Sequence, residues 1–186
     1  DPATGRPIEN PDARFDKTGK AFAQQPAPGG AHNWQPMAYS PDTGLVYLSS
    51  SDSSFLYAPD RNFNPNPLVS NLGIDPAAAA AELGPNAMAD LPSGTYMVAW
   101  NPVTQQPGWK IPGASAGMLA TAGGLVFKGN QRGIAAYDAN DGTELWTSLD
   151  TQTGVVAAPV TYAVNGEQYV AVVAGRSNNN YYAPDY

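Results

Sequence analysis

A repeated pattern near the middle of the chain limits the folds that this sequence can adopt. Residues 99–109 run from alanine through an aromatic residue, an asparagine and a turn to Trp109, and residues 136–146 repeat this order, with aspartate for asparagine, as far as Trp146. The second copy begins 37 residues after the first. A period near 40 residues with several short strands in each unit is typical of β-propeller blades. We expect each tryptophan to cover the neighbouring blade and to donate a hydrogen bond from its indole N–H.

Three further segments each predict a pair of strands joined by a tight turn. Residues 41–44 spell Pro-Asp-Thr-Gly between two apolar stretches, and Asn165-Gly166 is a strong hairpin signal. Together with the repeats, these pairs predict an all-β chain that forms about three to four blades. The three strand pairs fall within residues 37–48, 119–129 and 155–174.

The remaining segments are less regular. Residues 1–31 are polar and rich in proline and glycine, which predicts an extended arm, and residues 176–186 predict a polar C-terminal tail. Residues 49–92 predict a long loop insertion in the blades, which span residues 32–175. Inside the insertion, Asp75 can cap a short helix that begins at Pro76 and ends before Gly84.

The composition excludes several classes of protein. The net charge of −7 argues against a nucleic-acid partner, which requires clustered cations. The chain has no cysteine, so it has no thiolate nucleophile, no cysteine-bound zinc and no C-x-x-C-H haem attachment. No apolar run approaches the roughly 18 residues needed to span a membrane. The polar first residues are no signal peptide, so we expect the leader of an exported protein to lie outside this sequence.

Three or four blades do not close a propeller ring. An open array of this size leaves a broad apolar face and an unpaired strand edge, and both favour association. We therefore expect the remaining blades to be the main partner of this chain, either on another chain or elsewhere in a longer polypeptide.

Several segments in this order and spacing are similar to one known family, the quinoprotein alcohol dehydrogenases. These segments are residues 30–41 (Gly-Ala-His-Asn-Trp-Gln-Pro-Met-Ala-Tyr-Ser-Pro), the two tryptophan-ended repeats, residues 119–129, residues 154–159 and residues 168–172. Members of that family are eight-bladed propellers that hold pyrroloquinoline quinone (PQQ) and Ca²⁺ on the central axis. The resemblance implies that this chain is the C-terminal part of such a propeller.

The resemblance also implies where the cofactor lies. In the family, the Asn-Trp of residues 30–41 lies beside the quinone, so Asn33 is expected to hydrogen-bond to PQQ with Trp34 adjoining it. A neutral amide can hydrogen-bond to the carboxylates and carbonyls of PQQ without neutralising the charge of the nearby metal. The catalytic base, the calcium ligands, the ring-stacking tryptophan and the cationic quinone partner come earlier in the family pattern. We therefore expect no catalytic or metal-binding residue in this chain, and no activity from it alone.

The implied enzyme oxidises an alcohol to an aldehyde or ketone in the periplasm. The acidic excess would suit docking of a cytochrome c as the electron acceptor. An alternative is a non-catalytic propeller scaffold for protein assembly, because many propellers carry similar repeats without a quinone. A third is a remodelled dehydrogenase that binds the quinone without turning over alcohol, since residues 114–117 (Ala-Ser-Ala-Gly) replace the tryptophan or asparagine and paired glycines common in relatives.

Three local motifs have simpler explanations than catalysis. Residues 113–117 spell G-x-S-x-G, but a nucleophile elbow needs a following helix, and a strand is predicted there. The Asp138 segment departs from a calcium-binding loop in the position of its glycine, which favours a β-turn. His32 is the one histidine, and the expected role is structural positioning of the Asn33 loop.

Overall fold

The computed structural model describes residues 1, 3–68, 71–89, 91–113, 115–148 and 151–175. They divide into a smaller unit of residues 1–30 and 52–93 and a larger unit of residues 31–51 with the chain from Gly94 onward. Within the described residues, no helix has the length and apolar character needed to cross a membrane.

Short strands account for most of the regular structure in these ranges. The helical segments are a 3-10 turn (Pro11–Ala13), α1 (Phe15–Thr18) and α2 (Pro76–Leu83). The strands are β1 (Phe22–Gln24), β2 (Ala38–Ser40), β3 (Leu45–Asp52), β4 (Phe55–Tyr57), β5 (Gly94–Asn101), β6 (Gln106–Pro112), β7 (Met118–Ala120), β8 (Leu125–Gly129), β9 (Ile134–Asp138), β10 (Glu144–Thr147), β11 (Val160–Val164) and β12 (Glu167–Ala171).

The larger unit contains two four-stranded sheets and a hairpin. The first sheet has the order β2-β3-β5-β6, and the second runs β7-β8-β9-β10 in chain order. The predicted hairpin around residues 41–44 is confirmed, because β2 pairs with β3 and Tyr39 lies opposite Val46. The predicted β11–β12 hairpin is also confirmed, and Asn165 and Gly166 at its turn have the positive φ values of a two-residue hairpin turn.

The two four-stranded sheets pack against each other through an apolar core. Tyr47 and Met97 of the first sheet meet Val126 of the second in this buried cluster. Trp109 packs against the cluster, with its ring centroid 5.8 Å from that of Tyr47. The carbonyl oxygen of Ala139, which follows β9, accepts hydrogen bonds from Trp109 Nε1 at 3.1 Å and from the Tyr47 hydroxyl at 2.9 Å. The expected docking of the first repeat tryptophan is therefore confirmed.

The second repeat tryptophan has a different environment. Trp146 is 52 % exposed and lies on β10, where every residue is exposed. Its indole lines a cleft of about 370 Å³ between the second sheet and β12, beside Phe127, Tyr169 and Val170. The difference arises because the hairpin that follows in the described residues has two strands, whereas Trp109 is covered by a sheet of four.

Residues 1–31 differ from the extended arm that the sequence predicts, because they contain a 3-10 turn, a short helix and a paired strand. The Asn10 side chain caps the 3-10 turn by accepting from the Asp12 amide, and α1 follows directly. Strand β1 then pairs with β4, so this part of the chain is folded against the insertion. The insertion itself begins later than predicted, since β3 continues to Asp52.

The predicted helix of the insertion is present as α2. The Asp75 carboxylate accepts a hydrogen bond from the Ala78 amide at 2.9 Å, and the helix begins at Pro76. It ends at Leu83, before Gly84, as the sequence predicts. The predicted C-terminal tail, residues 176–186, lies outside the described residues.

Candidate functional site

Three segments lie next to each other where the chain enters the first strand of each sheet in the larger unit. They are residues 31–37 before β2, residues 115–117 before β7 and residues 154–159 before β11. The Met118 amide donates to the Pro36 carbonyl at 3.0 Å, and the Gly117 amide donates to the Val156 carbonyl at 3.0 Å. β2 and β7 are edge strands in contact with each other, as are the inner strands of propeller blades along a central channel. We call these three segments the entry loops.

Small residues allow the entry loops to approach so closely. A Cβ atom at Gly117 would lie 2.7 Å from backbone atoms of Ala158, and one at Gly129 would overlap the carbonyl oxygen of Val155. Strand β7, with no helix, follows Ser115, so the structure gives no support for a nucleophile elbow. Ala114, the first residue of the departure from the family pattern, lies outside the described residues.

A buried serine joins two of the entry loops to the first sheet. The Ser49 hydroxyl donates to the Ala116 carbonyl at 2.7 Å and accepts from the Ala116 amide at 3.0 Å. His32 Nδ1 lies 2.8 Å from the Ser49 carbonyl oxygen, which requires the Nδ1–H tautomer because a carbonyl only accepts. This contact gives His32 the structural role predicted for it, since it holds the loop that carries the next two residues.

Asn33 and Trp34 follow His32 on the first entry loop, and both side chains are exposed. Trp34 is 54 % exposed, and Met37 and Tyr39 continue the exposed apolar surface along the loop and edge strand β2. An exposed amide beside an exposed indole can hydrogen-bond to the rim of a planar polar ligand and cover its face. The residues therefore fit a planar cofactor with carbonyl and carboxylate groups.

The described residues lack a set of side chains suited to a metal ion. No group of three or more His, Cys, Asp or Glu residues comes together in these ranges. The Asp138 segment forms the predicted β-turn, in which its side chain accepts from the Asn140 amide at 2.8 Å. The carboxylate is thus used within the turn.

The sequence reasoning missed one charged residue near the entry loops. Lys128 on β8 is 2 % exposed, and burial lowers the pKa of its amine to about 8. Lys128 lies two residues after the buried Val126 on the same strand, so the two side chains point to the same face of the sheet. The spacing of two residues from a core-facing valine is the sequence signal that predicts an inward-pointing Lys128.

Comparisons with known proteins agree with this geometry. Residues 90–170 match the profile described as the β-propeller domain of glucose/ethanol/alcohol dehydrogenase. The chain is 44% identical over 189 residues to the quinohemoprotein alcohol dehydrogenase ADH-IIG of Pseudomonas putida, covering 94% of this chain and 25% of that protein. It is 41% identical over 184 residues to the dehydrogenase subunit of the quinone alcohol dehydrogenase of Gluconacetobacter polyoxogenes, covering 94% and 24%.

The solved structures give the same result. The quinohemoprotein alcohol dehydrogenase ADHIIG from Pseudomonas putida HK5 superposes with a TM-score of 0.77 at 37% identity, covering 95% of this chain and 27% of that one. These matches identify a segment of a dehydrogenase β-propeller and confirm the predicted fold class. The chain is similar to the PQQ-dependent alcohol dehydrogenases and matches the C-terminal part of their longer members. It spans about a quarter of the length of the curated relatives it matches.

Proposed function

We propose that the chain is the C-terminal segment of a PQQ- and calcium-dependent dehydrogenase that oxidises an alcohol to an aldehyde or ketone. Within that enzyme, the two four-stranded sheets form part of the propeller wall. The entry loops face the quinone, with Asn33 and Trp34 positioning it. The observation that carries the proposal is the set of three hydrogen-bonded entry loops, which leaves the Asn33 amide and the Trp34 indole exposed beside edge strand β2.

The chemistry follows from what each part supplies. PQQ, when bound, supplies the two-electron acceptor for the alcohol. Asn33 hydrogen-bonds to a polar group on the quinone rim, and Trp34 excludes water from one side of it. The Ser49 hydroxyl and the His32 imidazole hold the entry loops in register, so that these two side chains stay in position.

The remaining parts of the enzyme complete the site. The base that takes the hydroxyl proton and the carboxylates that bind Ca²⁺ belong, in this proposal, to the blades outside this chain. For the same reason the isolated chain is inactive. By the same family resemblance, the enzyme works in the periplasm. Its electron acceptor is a cytochrome c, because the net charge of −7 is complementary to a basic partner.

Quinone affinity of the complete protein tests the role of Asn33. We expect Asn33→Ala to weaken PQQ binding about fivefold, because one hydrogen bond contributes about 1 kcal/mol. Asn62→Ala removes an exposed amide from the other unit and serves as the matched control. Titration of the apoprotein with PQQ in the presence of Ca²⁺, followed by the quinone absorption band, gives both affinities.

Two results would contradict the proposal. Equal PQQ affinity of the wild type and Asn33→Ala would remove Asn33 from the cofactor site. Reduction of a dye by the isolated 186-residue chain with PQQ, Ca²⁺ and an alcohol would overturn its inactivity when alone. A native complex that assembles without a quinone band and binds no added PQQ would instead support the scaffold alternative.

A further inference from the structure

A buried lysine lies beneath the connection that enters β7. Lys128 is 2 % exposed, and it is the one charged residue buried among those that the structure describes. In the sheet it lies opposite Met118 on β7 and Ala135 on β9, and its side chain points to the same face as Val126. The aliphatic part of the side chain is therefore well placed in the apolar core between the two four-stranded sheets.

The ammonium group reaches the start of that connection. A Cβ atom at Gly113 would lie 2.9 Å from Lys128 Nζ, so the missing side chain of this glycine provides the space that the ammonium uses. Within the described residues, Lys128 has neither a hydrogen-bond acceptor nor an ion-pair partner. Its pKa is lowered to about 8 by burial alone, with no contribution from a neighbouring charge.

Such an arrangement is unfavourable unless a partner is added. Lysine is almost never this deeply buried without one, because an unpaired ammonium loses most of its hydration and gains nothing in return. The partner that would best stabilise this ammonium is an acceptor with negative charge. The described chain does not bring one there, while the relatives are about four times as long as this chain.

We propose that Lys128 is the cationic half of an ion pair whose carboxylate comes from outside the described residues and meets the ammonium beside Gly113. Two sources have this chemistry: an Asp or Glu side chain of the rest of the protein, and a carboxylate of the quinone. The connection beside Lys128 continues to Ala116, which Ser49 fixes among the entry loops. The quinone source rests on the proposed function, whereas the protein source does not.

The first test is whether removing the charge of Lys128 lowers or raises the Tm of the complete protein. Lys128→Met keeps the length of the side chain and removes its charge. If a carboxylate is paired with Lys128, the variant leaves that carboxylate buried and unpaired, and we expect Tm to fall by several degrees. The exposed Lys20→Met is the control and should move Tm by less than about one degree. A rise in Tm for Lys128→Met would overturn the proposal, because removing an unpaired buried ammonium relieves a cost.

The pKa of Lys128 in the complete protein is the second test, and it does not depend on a variant that must fold without the lysine. Lysine side chains labelled with ¹³C at Cε report the titration, and the conservative Lys128→Arg variant assigns the signal by its loss. A carboxylate partner returns the pKa to about 10 or above. A pKa near 8 both with and without the quinone would overturn the proposal.

The same titration separates the two sources of the carboxylate. A high pKa in both the PQQ-loaded and the PQQ-stripped protein assigns the carboxylate to the protein. A high pKa that appears only after PQQ is added assigns it to the quinone. If the protein binds no PQQ, the proposed function fails, yet the protein-derived ion pair is still measured in the stripped sample.

Discussion

Replacing Trp109 tests the packing of the first sheet on the second. Its indole packs against the core beside Tyr47, and its Nε1 donates to the Ala139 carbonyl. Truncating a packed tryptophan to alanine costs about 3–5 kcal/mol, and we expect about 3 kcal/mol for Trp109→Ala because the side chain is partly exposed. Trp109→Phe keeps most of the apolar contact and loses the hydrogen bond, so its cost should be about 1 kcal/mol.

The chain contains its own matched control at the equivalent position of the repeat. Trp146 is 52 % exposed, so Trp146→Ala should cost less than about 1.5 kcal/mol in the isolated chain. Urea unfolding of the 186-residue chain, followed by circular dichroism because tryptophan fluorescence changes in every variant, gives the three free energies. With an m-value of about 2 kcal/mol/M, a loss of 3 kcal/mol moves the midpoint by about 1.5 M.

The comparison is decisive because the two tryptophans have the same local sequence pattern. Equal losses for Trp109→Ala and Trp146→Ala would show that the repeat itself, rather than the neighbouring sheet, determines the stabilisation. A Trp109→Phe variant as unstable as Trp109→Ala would show that the hydrogen bond outweighs the packing. Either result would refute the assignment of most of the Trp109 stabilisation to apolar contact with the second sheet.

Three further predictions concern single residues of the larger unit. Gly129→Ala should prevent cooperative folding, measured by urea unfolding, because its Cβ would overlap the carbonyl oxygen of Val155. Gly123→Ala, whose Cβ would meet only the Thr121 hydroxyl at an ordinary 3.8 Å, should change stability by less than about 1 kcal/mol. Tyr47→Phe should cost about 1 kcal/mol in the same assay because its buried hydroxyl donates to a carbonyl of the second sheet. Between pH 8 and 10.5 the isolated chain should gain about 3 kcal/mol of stability relative to Lys128→Met, because the unfolded state retains the Lys128 proton that the folded state releases above its pKa of about 8. Unfolding of Lys128→Met across that pH range should show no such gain from this group, and an unchanged gain would contradict its assignment to Lys128.

Much of the blade architecture could be predicted from local sequence. Hairpins and helix caps are determined by residues close together in the chain, such as Asn165-Gly166 at a two-residue turn and Asp75 before α2. The tryptophan-ended repeat adds a period, which indicates how many such hairpins make one blade. These signals need no knowledge of distant contacts, and the structure confirms them.

The features that were missed depend on residues distant in sequence. Strand β1 pairs with β4 across some 30 residues, and neither three-residue strand has a pattern that distinguishes it from a loop. The contact between Gly117 and Val156 is likewise invisible locally, because it depends on two sheets being placed side by side. The family resemblance indicated Asn33 and Trp34, but the three-loop arrangement around them required the tertiary structure.

The two repeat tryptophans show how far a local pattern determines energy. Both occupy the same position after the same turn, yet Trp109 contacts a four-stranded sheet and donates to Ala139, while Trp146 faces an open cleft beside β12. The repeat therefore specifies the hairpin and the direction of the indole, and the next sheet determines how much the indole stabilises. It follows that a sequence repeat predicts blade number and strand register better than it predicts which copy holds the structure together.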